Sequence, residues 1–214
     1  MFLGHFAVAM ASKRAVPRVS LGALFAAAQW PDLLWPVLLL LGVERVTVAP
    51  GDTPFTPLRF DSYPISHSLL ATIGWALIGA ALWWLLRKDT REAGVIGALV
   101  LSHWVLDALT HRPDLQLTPW SEGRIGLGLW NSVPLTAAIE LVLFAAGLAA
   151  WLGARGRPKG RRFAAWSLAA FLVVIYFLNV FGSPPPSAAA VAWVTLSMWL
   201  LVAWAWAADR APAE

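Results

Sequence analysis

The stretch LSHWVLDALTH, Leu101–His111, decides how the chain is read. It closes an apolar run that starts at Ala93 and is long enough, at ~1.5 Å per helical residue, to enter a bilayer core of ~30 Å. Yet it carries His103, Asp107 and His111 at successive four-residue steps. On a helix, residues so spaced stand one above another, so His103 and Asp107 share a face and can hold one ion between them, while His111 rotates toward the loop edge. An ionisable side chain inside a membrane costs at least ~2.5–3.5 kcal/mol, so it persists where a partner, a cavity or a function offsets that cost.

Composition places the rest of the chain around this stretch. Of 214 residues, 59% are apolar and 13% are charged, against about 45–50% and 25% in soluble domains, which marks a membrane protein. The absence of cysteine excludes disulfides, thiolate metal ligands, iron–sulfur clusters and a cysteine nucleophile. The net charge of +4 comes from short Lys and Arg clusters between apolar runs. Such clusters read as topology signals rather than as a nucleic-acid surface, so nucleic-acid binding is set aside.

The segment MFLGHFAVAMAS is apolar but too short to cross. Spans are expected at Leu21–Val43, interrupted by Pro31 and Pro36, and at Pro64–Leu86, Ala93–Thr110, Trp130–Leu152, Phe163–Phe181 and Ala188–Ala208. The expected fold is therefore all-α: a polytopic transmembrane helical bundle of about six spans plus a short, half-inserted N-terminal helix. It forms one membrane-embedded domain, 1–214, with a motif-bearing core at 1–153 and two scaffold spans at 163–208 that carry no ionisable group. Basic clusters at Lys13/Arg14/Arg18, at Arg87/Lys88/Arg91 and at Arg155–Arg162 alternate with loops of mixed or no charge. The positive-inside rule then puts loops 44–63, 111–129 and 182–187 outside and the C-terminus inside.

With this topology the polar residues converge in depth. His5, His67 and His103, with Asp107, fall on the outer side, Asp32 near the middle or outer half of its span, and Glu140 about halfway along its own. Imidazole nitrogens and carboxylate oxygens suit Zn²⁺, Mn²⁺ or Fe²⁺, and a site needs three or more ligands from different helices. His5, Asp32 and His67 are the candidates to complete the pair His103 and Asp107, and the prolines around Asp32 let that helix bend around a cavity. The alternatives are ordinary: an intramembrane histidine that only packs, or a counter-ion for arginine, although no Arg lies at the depth of Asp107. Ser66, Ser68, Ser102 and Ser132 read as helix caps or backbone partners. Most tryptophans sit near span ends as interfacial anchors, while Trp104 and Trp130 are candidates to line a site mouth.

Five blocks in order, GHFAVAMASKR, AAQWPDLLWP, SYPISHSLL, LSHWVLDALTH and GLGLWNSVPLTAAIELVLF, resemble bacterial integral membrane proteins described as membrane-bound metal-dependent hydrolases. The likeness covers about the first 150 residues. It implies metal positions at His5, Asp32, His67, His103 and Asp107, an acidic residue at Glu140, and a place in the bacterial cytoplasmic (inner) membrane. The His-x3-Asp step also resembles, more locally, the zinc-dependent phospholipase C superfamily.

The expected chemistry is hydrolysis by a water that a divalent metal ion, Zn²⁺ before Mn²⁺ or Fe²⁺, activates at the outer leaflet. Glu140, Asp107 or Asp32 is the catalytic base, and a membrane lipid or lipid-linked phosphoester is the substrate, with Arg59, Arg112 and Arg124 above it in the outer loops. The alternative is a non-catalytic transporter or metal-handling protein built on the same His/Asp cluster. Bis-histidine haem between His67 and His103 is a third reading, which leaves Asp32 and Asp107 unexplained.

Overall fold

The computed structural model describes residues 1–154 and 160–210. Along them run helices α1 (Leu3–Ser12), α2 (Leu21–Ala28) and α3 (Trp30–Leu40), strands β1 (Arg45–Val48) and β2 (Leu58–Ser62), and helices α4 (Pro64–His67), α5 (Leu69–Arg87) and α6 (Thr90–Thr110). Strands β3 (Leu115–Gln116) and β4 (Arg124–Ile125) follow, then α7 (Val133–Leu152), α8 (Gly160–Phe181), α9 (Ala188–Leu196) and α10 (Met198–Arg210). Among the described residues, five segments are long and apolar enough to cross a membrane: α5, α6, α7, residues Phe163–Phe181 of α8, and the α9–α10 run Ala188–Asp209. The pair α2–α3 makes a sixth if taken as one bent span. The fold is an all-α polytopic bundle.

Local chemistry sets the helix ends. Ser20, Ser68, Asp89, Ser132 and Ser187 each accept a hydrogen bond from a first-turn backbone N–H of the helix they precede, which satisfies donors the helix leaves unpaired. Two of the expected spans are broken. Leu21–Val43 bends by 58° between α2 and α3, at Gln29, whose backbone leaves the helical region just before Pro31. Pro64–Leu86 opens as the separate turn α4, because Ser68 is extended and restarts the helix. That break turns His67 inward, where it is buried.

Loops 44–63 and 111–129 are more ordered than their sequence suggests. β1 and β2 pair antiparallel, as do β3 and β4. Val46, Tyr63 and Leu115 from these loops pack with Trp35 and Trp104 in a small second core. Trp104 therefore belongs to this core rather than to a site mouth.

α1 is the centre of the site-bearing half. Seven of its ten residues are buried, as expected of a helix apolar on all sides, and it packs against α7, α2 and α6. The closest approach is at Gly147, where an added Cβ would overlap the Ala7 backbone. At its far end Lys13 Nζ donates to Pro17 O (2.9 Å), Val19 O (2.7 Å) and Asp209 Oδ2 (2.8 Å), fixing the first basic cluster against the end of α10. The side chains of the basic stretch 155–162 lie outside the described residues.

Candidate metal centre

Four elements deliver five side chains to one point. Asp107 Oδ1 lies 3.1 Å from His5 Nε2 of α1, and its Oδ2 lies 3.1 Å from His103 Nε2 and 3.9 Å from His67 Nε2. Asp32 Oδ1 on α3 lies 3.3 Å from His67 Nε2 and 3.8 Å from His103 Nε2. The Met1 amino group also contacts Asp107. Two overlapping groups of ligand atoms result, His5/His103/Asp107 and Asp32/His67/His103, each within 4.8 Å. His103 is common to both, and its ring stacks on His5 with centroids 3.8 Å apart.

The far nitrogens of two rings fix what the near ones offer. His103 Nδ1–H donates to Ala28 O (2.8 Å). His67 Nδ1–H donates to Ser66 Oγ (2.6 Å), and that hydroxyl donates to Glu44 Oε2 (2.6 Å). With Nδ1 protonated in each ring, a neutral imidazole presents a lone pair at Nε2. Those lone pairs face carboxylate oxygens, acceptor against acceptor, and His103 Nε2 is buried without a hydrogen bond. A shared cation resolves the arrangement, and orienting partners on the outer nitrogen are the usual companions of ligating histidines. Donor set and orphaned atom thus both fit a divalent ion.

Glu44 and Ser66 were not legible as parts of the site. Glu44 is 2% exposed and also accepts from the backbone N–H groups of Ile65 (2.8 Å) and Ser66 (2.9 Å), so it caps α4 while holding His67. Ser66 departs from the expected capping role. Ser68 and Ser132 keep it, and Ser102 Oγ donates to Leu99 O at 2.7 Å.

Glu140 sits against the start of α1. Its Oε2 accepts from Phe2 N (2.9 Å) and Gly4 N (3.3 Å), which ties down the helix bearing His5. Its Oε1 is buried with no hydrogen-bond partner among the described residues, and the residue does not border the cavity described below.

His111 stands apart from the cluster. It is buried, its Nδ1 lies 2.8 Å from Asp114 Oδ1, and Tyr63 donates its hydroxyl to the same oxygen at 2.7 Å. Burial lowers the His111 pKa. Burial and the Asp114 charge raise the Tyr63 phenol well above its ordinary range. The loop arginines are engaged as well: Arg112 with Asp52 and Asp114, Arg59 with Asp61, and Arg124 with Asp61 O. The Asp52 and Asp114 carboxylates raise the Arg112 pKa against the opposing effect of burial.

A cavity of about 740 Å³ opens beside the cluster. Asp32, His67, Asp107 and His111 border its polar end, and Trp130 lines its wall. α8, α9 and α10, expected to be plain scaffold, form much of the remainder.

The sequence was compared with known proteins. The family described as YdjM inner membrane protein matches residues 1–208, and the chain belongs to it. No curated protein and no solved structure matches the chain.

Proposed function

For an integral inner-membrane protein of this family, we propose metal-dependent hydrolysis at the His/Asp cluster. The observation that carries the reading is the buried, unpartnered Nε2 of His103, held by its Ala28 hydrogen bond to face Asp107 and Asp32. His5, His67, His103 and Asp107 would hold the ion. A divalent ion of the zinc type would supply Lewis acidity when bound, lowering the pKa of water toward neutrality and polarising a carbonyl or phosphoryl oxygen.

The chain's own residues do the rest. Asp32 has a side chain 25% exposed where the other four are at most 4% exposed, and it borders the cavity. It accepts the proton of the attacking water. The Ser66–Glu44 pair keeps His67 turned to the ion, and Glu140 keeps α1 in place.

The reading favours an ester or phosphoester presented by the membrane, on the outer side by the positive-inside rule. Transport finds less support. Leu3, Phe6, Met10, Leu24 and Phe25, from α1 and α2 beside the cluster, pack into a buried apolar core, whose side chains offer a moving ion no ligands.

The test is hydrolysis of a panel of chromogenic esters and phosphodiesters by protein in sealed vesicles, with and without chelator. Activity lost in chelator and restored by Zn²⁺, and absent in Asp32→Asn protein that still binds metal, is the expected result. Metal flux across the vesicle with no hydrolysis would replace this reading by the transporter.

A further inference from the structure

The cavity has one polar end and a long apolar remainder. Its far wall is built by Phe171, Tyr176, Val194, Met198, Leu201 and Trp204. A space of this size is in the range of ligand sites rather than of packing defects. Asn179, Ser183, Thr195 and Ser197 also border it and can hold water locally, but most of the lining is apolar and is matched better by hydrocarbon than by water. The bilayer is the source of that hydrocarbon.

The way in is also visible. Leu178, Val194 and Leu200 border the cavity, yet they are 63%, 69% and 70% exposed on the outside of the bundle. α9 leans on α3 and β1, whereas α8 leans on α7 and α10, so the two helices flank an opening between them. Leu178 on α8 and Val191 and Val194 on α9 make much of its edge apolar, which suits a chain passing sideways from the bilayer.

We propose that the cavity is a chain-binding site, and that the substrate is a membrane amphiphile whose hydrocarbon tail enters between α8 and α9 and whose head-to-tail junction rests at Asp32, His67 and Asp107. This rests on the hydrolase reading for the reaction but not for the binding. Hydrolysis of the junction adds the water's hydroxyl to the carbonyl carbon or phosphorus and its proton to the leaving oxygen. The α8–α10 half then selects the tail, and the α1–α7 half acts on the junction.

The probe is a long-chain alkyl phosphate with a diazirine near the end of its chain, photolysed with full-length protein in vesicles of phosphatidylethanolamine and phosphatidylglycerol. The expected label lies on residues 171–178 and 190–204, severalfold above that on Leu77 and Leu82, which are exposed on α5 and do not border this cavity. Ala190→Trp and Thr195→Trp, which fill the cavity from α9, lower the label without changing bound metal. His5→Ala, at a candidate ligand that does not border the cavity, lowers bound metal and leaves the tail label, so failure of the metal reading and failure of this one are told apart. Label spread evenly over all lipid-facing helices overturns the proposal whatever the variants do, as does undiminished label in tryptophan variants that elute and melt like the parent.

Discussion

His103 and Asp107 stand one turn apart on α6, with Nε2 and Oδ2 3.1 Å from each other, and the hydrogen bond from His103 Nδ1–H to Ala28 O leaves no proton between them unless the ring is charged. In a neutral ring two acceptors are held face to face in a buried place. The fold has spent a helix bend, a broken span and a central helix to bring three more donors to the same point.

Ser66→Ala removes the acceptor for His67 Nδ1–H and frees the ring to turn. Loss of such an orienting partner weakens metal affinity by about 10–100-fold. Chelator competition on purified protein measures it, and Ser66→Thr, which keeps the hydroxyl, is expected to stay close to the parent.

Gly147→Ala forces α1 off α7, since the new Cβ would overlap the Ala7 backbone. Overpacking of this kind costs about 1–3 kcal/mol, and here it also displaces His5. Both Tm and bound metal are expected to fall. Gly94→Ala on α6 is the control, since nothing lies within 4 Å of its added Cβ, and it is expected to leave both unchanged or raise Tm.

His111 makes the loops around Tyr63 and Asp114 sensitive to acid. Its folded pKa is lowered by burial, so as pH falls through about 6.5 the unfolded chain takes up a proton that the folded chain refuses. Stability contributed by the neutral ring is present above that pH and is lost progressively below it. Thermal melts across that range are expected to slope less steeply in His111→Asn protein than in the parent.

Polar residues made much of this legible in the sequence, and apolar ones hid the rest. His103 and Asp107 announce themselves because a charge in a span is costly, and the alternation of basic loops brings His5, Asp32 and His67 to their side. Ser66 and Glu44 were missed because a serine at the start of a span reads as a cap and a glutamate at a span end reads as a solvated loop charge. Nothing local shows that the two are buried together. Glu140 was legible only in part: sequence shows that a carboxylate is present but not that two backbone N–H groups occupy its Oε2. The cavity wall was invisible, because Met198 or Leu201 facing a void is spelled like a leucine facing lipid. The bend at Gln29 was partly readable from Pro31, whereas the break at Ser68, which turns His67 inward, carries no proline at the break itself.

The most direct test of the shared cation is elemental analysis of gently purified protein beside its His103→Ala/Asp107→Ala double variant. The account predicts stoichiometric bound divalent metal in the parent and its loss in a variant that still elutes as folded protein. Equal metal content in the two, or none in a parent supplied with Zn²⁺, would contradict it.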